Sequence, residues 1–581
     1  MLNFNSEESN VLIAQDIGSA LLGLTSNPAN NSLLPQSNLG SNPQLSPQSD
    51  ETQVFRGTKD FDFLRGKDSD DTLYGLAGND ILNGGKGNDI LNGGTDKDWL
   101  LGAKGNDVLI DGDGGDLITG GEGADIFWIN NWDTPDTPTT ILDFKTGEDT
   151  IKIGRLGVTF DSLTFEDDFL STTILDNGKP LAKLIGIDKK SLTPESFIFG
   201  DAALVNQYQT KLEQSVTDFE IPGATQAIVT PDGFTWKGAA GFSNLEAQTP
   251  MQPDNIFSIA SITKAFTGAT VLKVVESGKI SLDDTLGQRL PEIAKNFPNG
   301  ESITLRQLLN GSSGIPSFNF VDEFIEDLGN DTFANKSPEE IVAYVYGEPL
   351  FTGFQSTPTW AYTNTADIIA SLMVEQATGR AFSELMEQNI IEPLGLDDTF
   401  YGIPEQIPDN LASSYTDLFD TSGKFSEFDG VVEDVTQFDV KNISAFAASA
   451  AVFSDADDVA RFTQALFRGE LLSKASANEL VNFVDTGSTN GNRYGLGVLE
   501  APNVEILPWG REWLLIGDAF GYSSRTLYLP DDGGYSNTVL VNSVNRSALK
   551  VQSFADAIIA SSLEVAFDDF SIDKLVMQAA I

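Results

Sequence analysis

The chain has 581 residues, 40% of them hydrophobic, with 35 Lys plus Arg against 85 Asp plus Glu and a net charge of −50. That length allows several domains, and that charge repels nucleic acid and anionic lipid while attracting cations. Cys and His are both absent, which excludes disulfides, thiolate or imidazole metal sites and every His-dependent nucleophilic mechanism; a general base has to be Lys, Tyr, Asp or Glu.

The amino-terminal stretch carries Glu7 and Glu8 and lacks the basic start of a cleavable secretory signal. The apolar patch Val11 to Leu24 predicts a short helix. Residues 26–50 are rich in Asn, Ser, Pro and Gln, a composition that predicts a disordered linker. We take 1–56 as one amino-terminal segment. No run of about 18 apolar residues occurs, so no membrane span is expected.

From Gly57 the chain can be written in nines, from GTKDFDFLR to GGEGADIFW. The sixth place is always aspartate: Asp62, Asp71, Asp80, Asp89, Asp98, Asp107, Asp116 and Asp125. The eighth is always large and apolar: Leu64, Leu73, Leu82, Leu91, Leu100, Leu109, Ile118 and Phe127. Glycines permit tight turns, and a short strand in each nine sends one apolar residue inward. Two nines make a coil, so aspartates 18 apart stack on one side. A hard cation needs several oxygens at about 2.3–2.6 Å. Asp pairs and turn carbonyls supply them, giving at most three sites on each side. Lys67, Ser69, Asp96, Ala103 and Asp111 interrupt the glycine pattern and count against the calcium sites near them.

This stretch, 57–128, resembles the RTX, or haemolysin-type, nonapeptide family. The resemblance implies a parallel β-roll that folds around Ca2+, an extracellular location and export by a type I secretion machine. Residues 129–203 contain strand-like runs (TTILDFKTGEDTIKI, STTILDN, LAKLIGI). They are expected to cap the last coil of the solenoid.

Residues 204–581 differ in texture. A helical opening is followed by two strand-like pieces, then Ser261-Ile262-Thr263-Lys264 at the start of a predicted helix that Gly278 stops. Residues i and i+3 share a helix face, so Lys264 can reach the Ser261 hydroxyl. Free N–H groups at a helix start suit an oxyanion. Further on come Leu305 to Leu309 with a Gly-Ser-Ser-Gly turn, Tyr362-Thr363-Asn364, and Glu392-Pro393-Leu394-Gly395-Leu396. Together these resemble the serine β-lactamase, D-alanyl-D-alanine carboxypeptidase and class C-like esterase family. The resemblance implies an antiparallel sheet flanked by helices plus a helical subdomain. It implies Ser261 as nucleophile, Lys264 and Tyr362 as proton carriers, and Asn364 on the substrate carbonyl.

The third family motif, a Lys-Thr-Gly or His-x-Gly strand, is replaced by Ile516-Gly517-Asp518-Ala519-Phe520-Gly521-Tyr522-Ser523-Ser524. Asp518 stands where a cation is expected and cannot hold a substrate carboxylate by charge. The second oxyanion donor is expected near Phe520 or Gly521. The sequence therefore reads as a multidomain chain, a β-roll with a β-rich cap and then a β-lactamase/transpeptidase-like α/β fold. It is expected to act on a small-molecule ester or amide. The alternative is a calcium-dependent surface module carrying an inactive hydrolase fold.

Overall fold

The computed structural model describes residues 53–112, 114–130, 138–231, 233–329, 336–351, 356–357, 359–402, 408–416, 433–488, 491–501, 511–531, 534–544 and 554–566. The helix and linker expected before residue 53, and the end of the tail, lie outside these. The chain divides into two compact units, residues 1–153 with 158–198, and residues 154–157 with 199–581.

In the first unit successive nines go to alternate parallel sheets. On one sheet Leu73, Leu91, Leu109 and Phe127 are in register. On the other, Leu64, Leu82, Leu100 and Ile118 are. Apart from Leu64, all of these are fully buried, each worth about 1.5–3 kcal/mol of apolar burial. The coils lie so close that a Cβ on Gly105, at φ +127°, would stand 1.7 Å from the Gly87 carbonyl oxygen. The columns continue past the repeats into Ile151, opposite Phe127, and Ile141, opposite Ile118. Thr139–Ile141 then pairs with Lys179–Ile185, the start of an antiparallel meander with Ser171–Asp176 and Leu163–Asp167. The last coil is covered as a solenoid end requires.

The second unit is built on an antiparallel sheet. Its central strands are β1 (Gly223–Val229), β2 (Thr235–Asn244), β3 (Glu512–Asp518), β4 (Ser523–Leu529) and β5 (Tyr535–Val541), in the spatial order β2-β1-β5-β4-β3. Every residue of β1, β4 and β5 is buried, as expected of strands covered on both faces. On one face α1 (Ala202–Asp218) and α5 (Phe554–Ala566) enclose Tyr208, Leu212, Ile228, Trp236, Val539 and Ile558. On the other lies the larger core, which includes α2 (Thr263–Glu276), α3 (Asn364–Thr378) and α4 (Ala456–Arg468). Phe266 of α2 stacks on Phe462 of α4 with ring centroids 3.6 Å apart. α2 stops at Ser277, and Gly278 takes the left-handed φ of +73° that a helix C-terminus favours. Among the described residues, no helix is long and apolar enough to cross a membrane.

Candidate active site and calcium ladder

Ser261 lies in a short 3-10 turn, Ala260–Ile262, that leads into α2. Ala260 is forced to φ +47°, a left-handed conformation that costs a non-glycine about 1–3 kcal/mol and clusters at functional sites. One helical turn on, the buried Lys264 Nζ donates to Ser261 Oγ at 3.0 Å, to Asn364 Oδ1 at 2.6 Å and to the Ser449 carbonyl at 2.9 Å. Those three bonds use every proton of an ammonium. Asp367, one turn into α3, brings a carboxylate oxygen to 3.9 Å from Nζ. Burial pushes the Asp367 carboxyl up to about 7, with Lys264 pulling the other way. Lys264 thus has a buried neighbour whose charge varies near neutral pH. Sequence reading missed Asp367, which lies three residues past the Tyr-x-Asn motif on the same helix.

Tyr362 meets Lys264 through its ring, with Nζ 5.0 Å from the centroid. Trp360 and Tyr494 flank Tyr362, each with its ring centroid 6.4 Å away. Asn364 stands on Lys264: its Oδ1 accepts from Nζ, and its Nδ2 donates to Asn319 Oδ1 at 3.1 Å. In this arrangement it orients the lysine. The Asn310-Gly311 pair is structural. The Asn310 carbonyl accepts from Trp360 Nε1 at 2.9 Å, and a Cβ on Gly311 would meet that nitrogen at 2.5 Å.

Two expectations at the third motif change. The Gly521 N–H donates to Asp439 Oδ2 at 3.1 Å, so it is not the oxyanion donor expected there. Asp439 is fully buried and also accepts from Ser414 Oγ at 2.6 Å. Burial pushes its carboxyl up to about 7 against these bonds. The Ala519 N–H closes the turn onto the Tyr522 carbonyl at 2.8 Å.

Asp518 is not an isolated anion. Both its oxygens pair with Arg525, at 3.0 Å each, and Ser523 Oγ donates to it at 2.8 Å. Arg525 also bonds Asp556 at 3.1 Å and the Gly517 and Ser524 carbonyls. Burial works against the guanidinium charge, but Asp556 and Asp518 outweigh it and hold the group protonated. Arg525→Met is therefore expected to lower stability by about 1–3 kcal/mol, read as a shift in denaturation midpoint. The value sits below that of a fully buried pair because the two carboxylates are 46% and 42% exposed.

In the roll, six turns share a backbone signature. The second and fourth positions of the nines containing Asp80, Asp89, Asp98, Asp107, Asp116 and Asp125 all have positive φ. Leu76 (79°), Asp96 (75°) and Ala103 (83°) adopt it despite their side chains. Asp96 and Ala103 thus take the backbone geometry of the glycines they replace. Asp111 is fully buried and accepts from Asn130 N at 2.7 Å and Thr139 Oγ1 at 2.8 Å.

Asp62 and Asp71 depart from the set. Asp62 Oδ2 accepts from Thr58 N at 2.6 Å, and Asp71 Oδ2 from Lys67 N at 2.7 Å. Their carboxylates are already engaged within their own turns, so the eight aspartates are not equivalent ligands. In Asp80, Asp89, Asp98, Asp107 and Asp125, by contrast, the buried Oδ2 has no hydrogen-bond partner among the described residues. Oδ1 of each accepts the N–H of the aspartate 18 residues earlier, at 2.7–3.0 Å. Burial, helped by neighbouring carboxylates, pushes these carboxyls up to about 8 in Asp80, about 7 in Asp107 and about 6 in Asp89. A buried oxygen with no donor calls for a cation. Among the described residues no three acidic groups converge, so a Ca2+ ion held here would need turn carbonyls as further ligands.

A profile described as Beta-lactamase matches residues 209–560, and the chain belongs to that family. The RTX calcium-binding nonapeptide repeat matches 56–91 and 92–127. Penicillin-binding protein 4* of Bacillus subtilis (strain 168) is 26% identical over 261 residues, covering 44% of this chain and 55% of that protein. The chain therefore spans about half the length of that relative. Esterase EstB of Burkholderia gladioli is 24% identical over 359 residues, 57% of this chain and 90% of that one. Among solved structures, a D-stereospecific amidohydrolase from Streptomyces sp. is similar at 27% identity and TM-score 0.52, covering 63% of this chain and 99% of that one.

Proposed function

We propose that the chain is a calcium-binding, exported serine hydrolase that cleaves small esters or amides by acyl transfer. Its parts are a roll at 57–128, a cap at 129–203 and the hydrolase at 204–581. The observation that carries the reading is the 3.0 Å bond from Lys264 Nζ to Ser261 Oγ, held by Asn364 and Ser449. Once Lys264 has given up one proton, Ser261 Oγ attacks the substrate carbonyl while the freed Nζ lone pair, with Tyr362 beside it, takes the hydroxyl proton and returns it to the leaving alcohol or amine. Water then opens the acyl-enzyme by the reverse relay. The oxyanion donors are backbone N–H groups of Ser261 and of Asp518. The Asp518 N–H turns away from β4, because pairing alternates along an antiparallel strand and the Ala519 N–H already closes the turn.

The cation at the third motif, Arg525, is already shared by Asp518 and Asp556. That favours acyl groups without a carboxylate next to the scissile bond. The esterase and amidohydrolase named above support the reaction class. In millimolar calcium, p-nitrophenyl butyrate is expected to turn over at least about tenfold faster than a carboxylate-bearing β-lactam. A faster β-lactam reaction would overturn the assignment of Asp518. A second reading, a surface module with an inactive hydrolase fold, draws on the engagement of the Gly521 and Ala519 N–H groups. It expects no acyl adduct by mass spectrometry after exposure to a reactive ester.

A further inference from the structure

The calcium ladder continues past the repeats in altered form. The N–H of Asp125 donates to Asp149 Oδ1 at 3.0 Å, the same bond that Asp107 makes to Asp125. The separation is 24 residues, not 18. Asp149 Oδ2 accepts from Lys145 N at 2.8 Å, as Asp71 accepts from Lys67 N. Asp149 therefore ends the column of Asp71, Asp89, Asp107 and Asp125.

The turn of Asp125 is still an open one by its backbone and by its partnerless Oδ2. What faces it from the cap is not another nonapeptide turn. Asp143 takes the Gly120 and Gly121 N–H groups, both at 2.9 Å, and the Lys145 ammonium lies on the Gly121 carbonyl at 2.6 Å. Gly121 is the second residue of that turn. Earlier in the roll the same carbonyl position accepts a backbone N–H from the next coil, as Lys67 does from Lys86 and Leu76 from Thr95. At the end of the ladder a charged donor takes it instead.

We propose that the Lys145 ammonium is a resident cation at the carboxyl-terminal end of the ladder, standing in for a calcium ion between the Asp125 turn and the cap. A lysine fits this role. It offers a compact charge on a flexible stem, and here Glu148 lies 3.6 Å away with Asp143 within electrostatic reach. The last turn is then held by a covalently attached cation, while the turns before it depend on free metal. This rests on the calcium-binding reading of the roll and not on any catalytic activity.

The test is hydrogen exchange of the full chain across a calcium titration. In the wild type, amides of residues 120–129 are expected to stay protected at calcium concentrations that open residues 84–98. Lys145→Gln keeps donors but loses the charge. It is expected to raise the calcium needed to protect 120–129 by about fivefold or more, whereas Lys145→Arg stays close to wild type. Lys104→Gln, which removes an exposed pair with Glu122, controls for general surface charge. If the glutamine variant at 145 titrates like wild type, or like the variant at 104, the resident-cation role is overturned. If no segment of the roll responds to calcium, the ladder reading itself fails.

Discussion

Ser261→Ala is expected to abolish p-nitrophenyl butyrate turnover, by about ten-thousandfold or more if the wild type is active, while the calcium-loaded chain stays folded. The rate loss follows from the proposed role of Ser261 Oγ as the atom that forms the acyl bond. The stability change is expected to be small, about 0.5–1.5 kcal/mol, because Lys264 keeps two of its three partners, Asn364 and Ser449. The backbone strain at Ala260 is also unaffected, since the φ of +47° belongs to the preceding residue. Rate and thermal unfolding should therefore separate in this variant. Residual turnover comparable to wild type would place the nucleophile elsewhere; a large drop in melting temperature would make the lost activity uninformative and call for Ser261→Cys or →Gly as a second probe.

The parts of this arrangement that the sequence displayed are those carried by spacing. A fixed period of nine puts Leu73, Leu91 and Leu109 in register whatever the rest of the chain does. A three-residue step on a helix brings Lys264 to Ser261 without tertiary help. The parts it concealed are those where distant segments meet or where the period breaks. Ser449, with its carbonyl on Lys264, is 185 positions away. Asp439 reaches Gly521 across 82. Asp518 reads as a lone anion in the sequence because its counter-charge comes from the returning strand. β3 and β4 pair Asp518 with Ser523, so Arg525, two residues on, shares the same face as the diagonal neighbour. The roll shows both effects. Asp96 and Ala103 look like defects in a glycine pattern, yet they take the positive φ of the glycines they replace. The N–H groups of Lys67 and Thr58 turn inward onto Asp71 and Asp62.

Calcium removal carries the other large expected effect. In chelator the amides of residues 63–118 are expected to lose protection, and the β signal of the far-ultraviolet spectrum to fall; both should return on adding millimolar calcium. The reason lies in the partnerless Oδ2 atoms of Asp80, Asp89, Asp98 and Asp107. Without metal, each buried carboxylate either remains charged with no counter-ion or takes a proton, and its stacked neighbours raise the cost of charge further. With metal, each ion present at a hundredfold excess over its dissociation constant stabilises the folded roll by about 2.7 kcal/mol. Several such ions add a term comparable to the apolar burial of the solenoid core, which works against chain entropy. Asp98→Asn is a sharper probe than chelation. It leaves the Oδ1 bond from the Asp80 N–H in place but replaces the orphan oxygen by an amide, so a raised calcium midpoint would implicate metal ligation and not lost hydrogen bonding. Equal protection of the roll with and without chelator would mean that the carboxylates are satisfied by protons, and that the ladder is a structural remnant and not a calcium site.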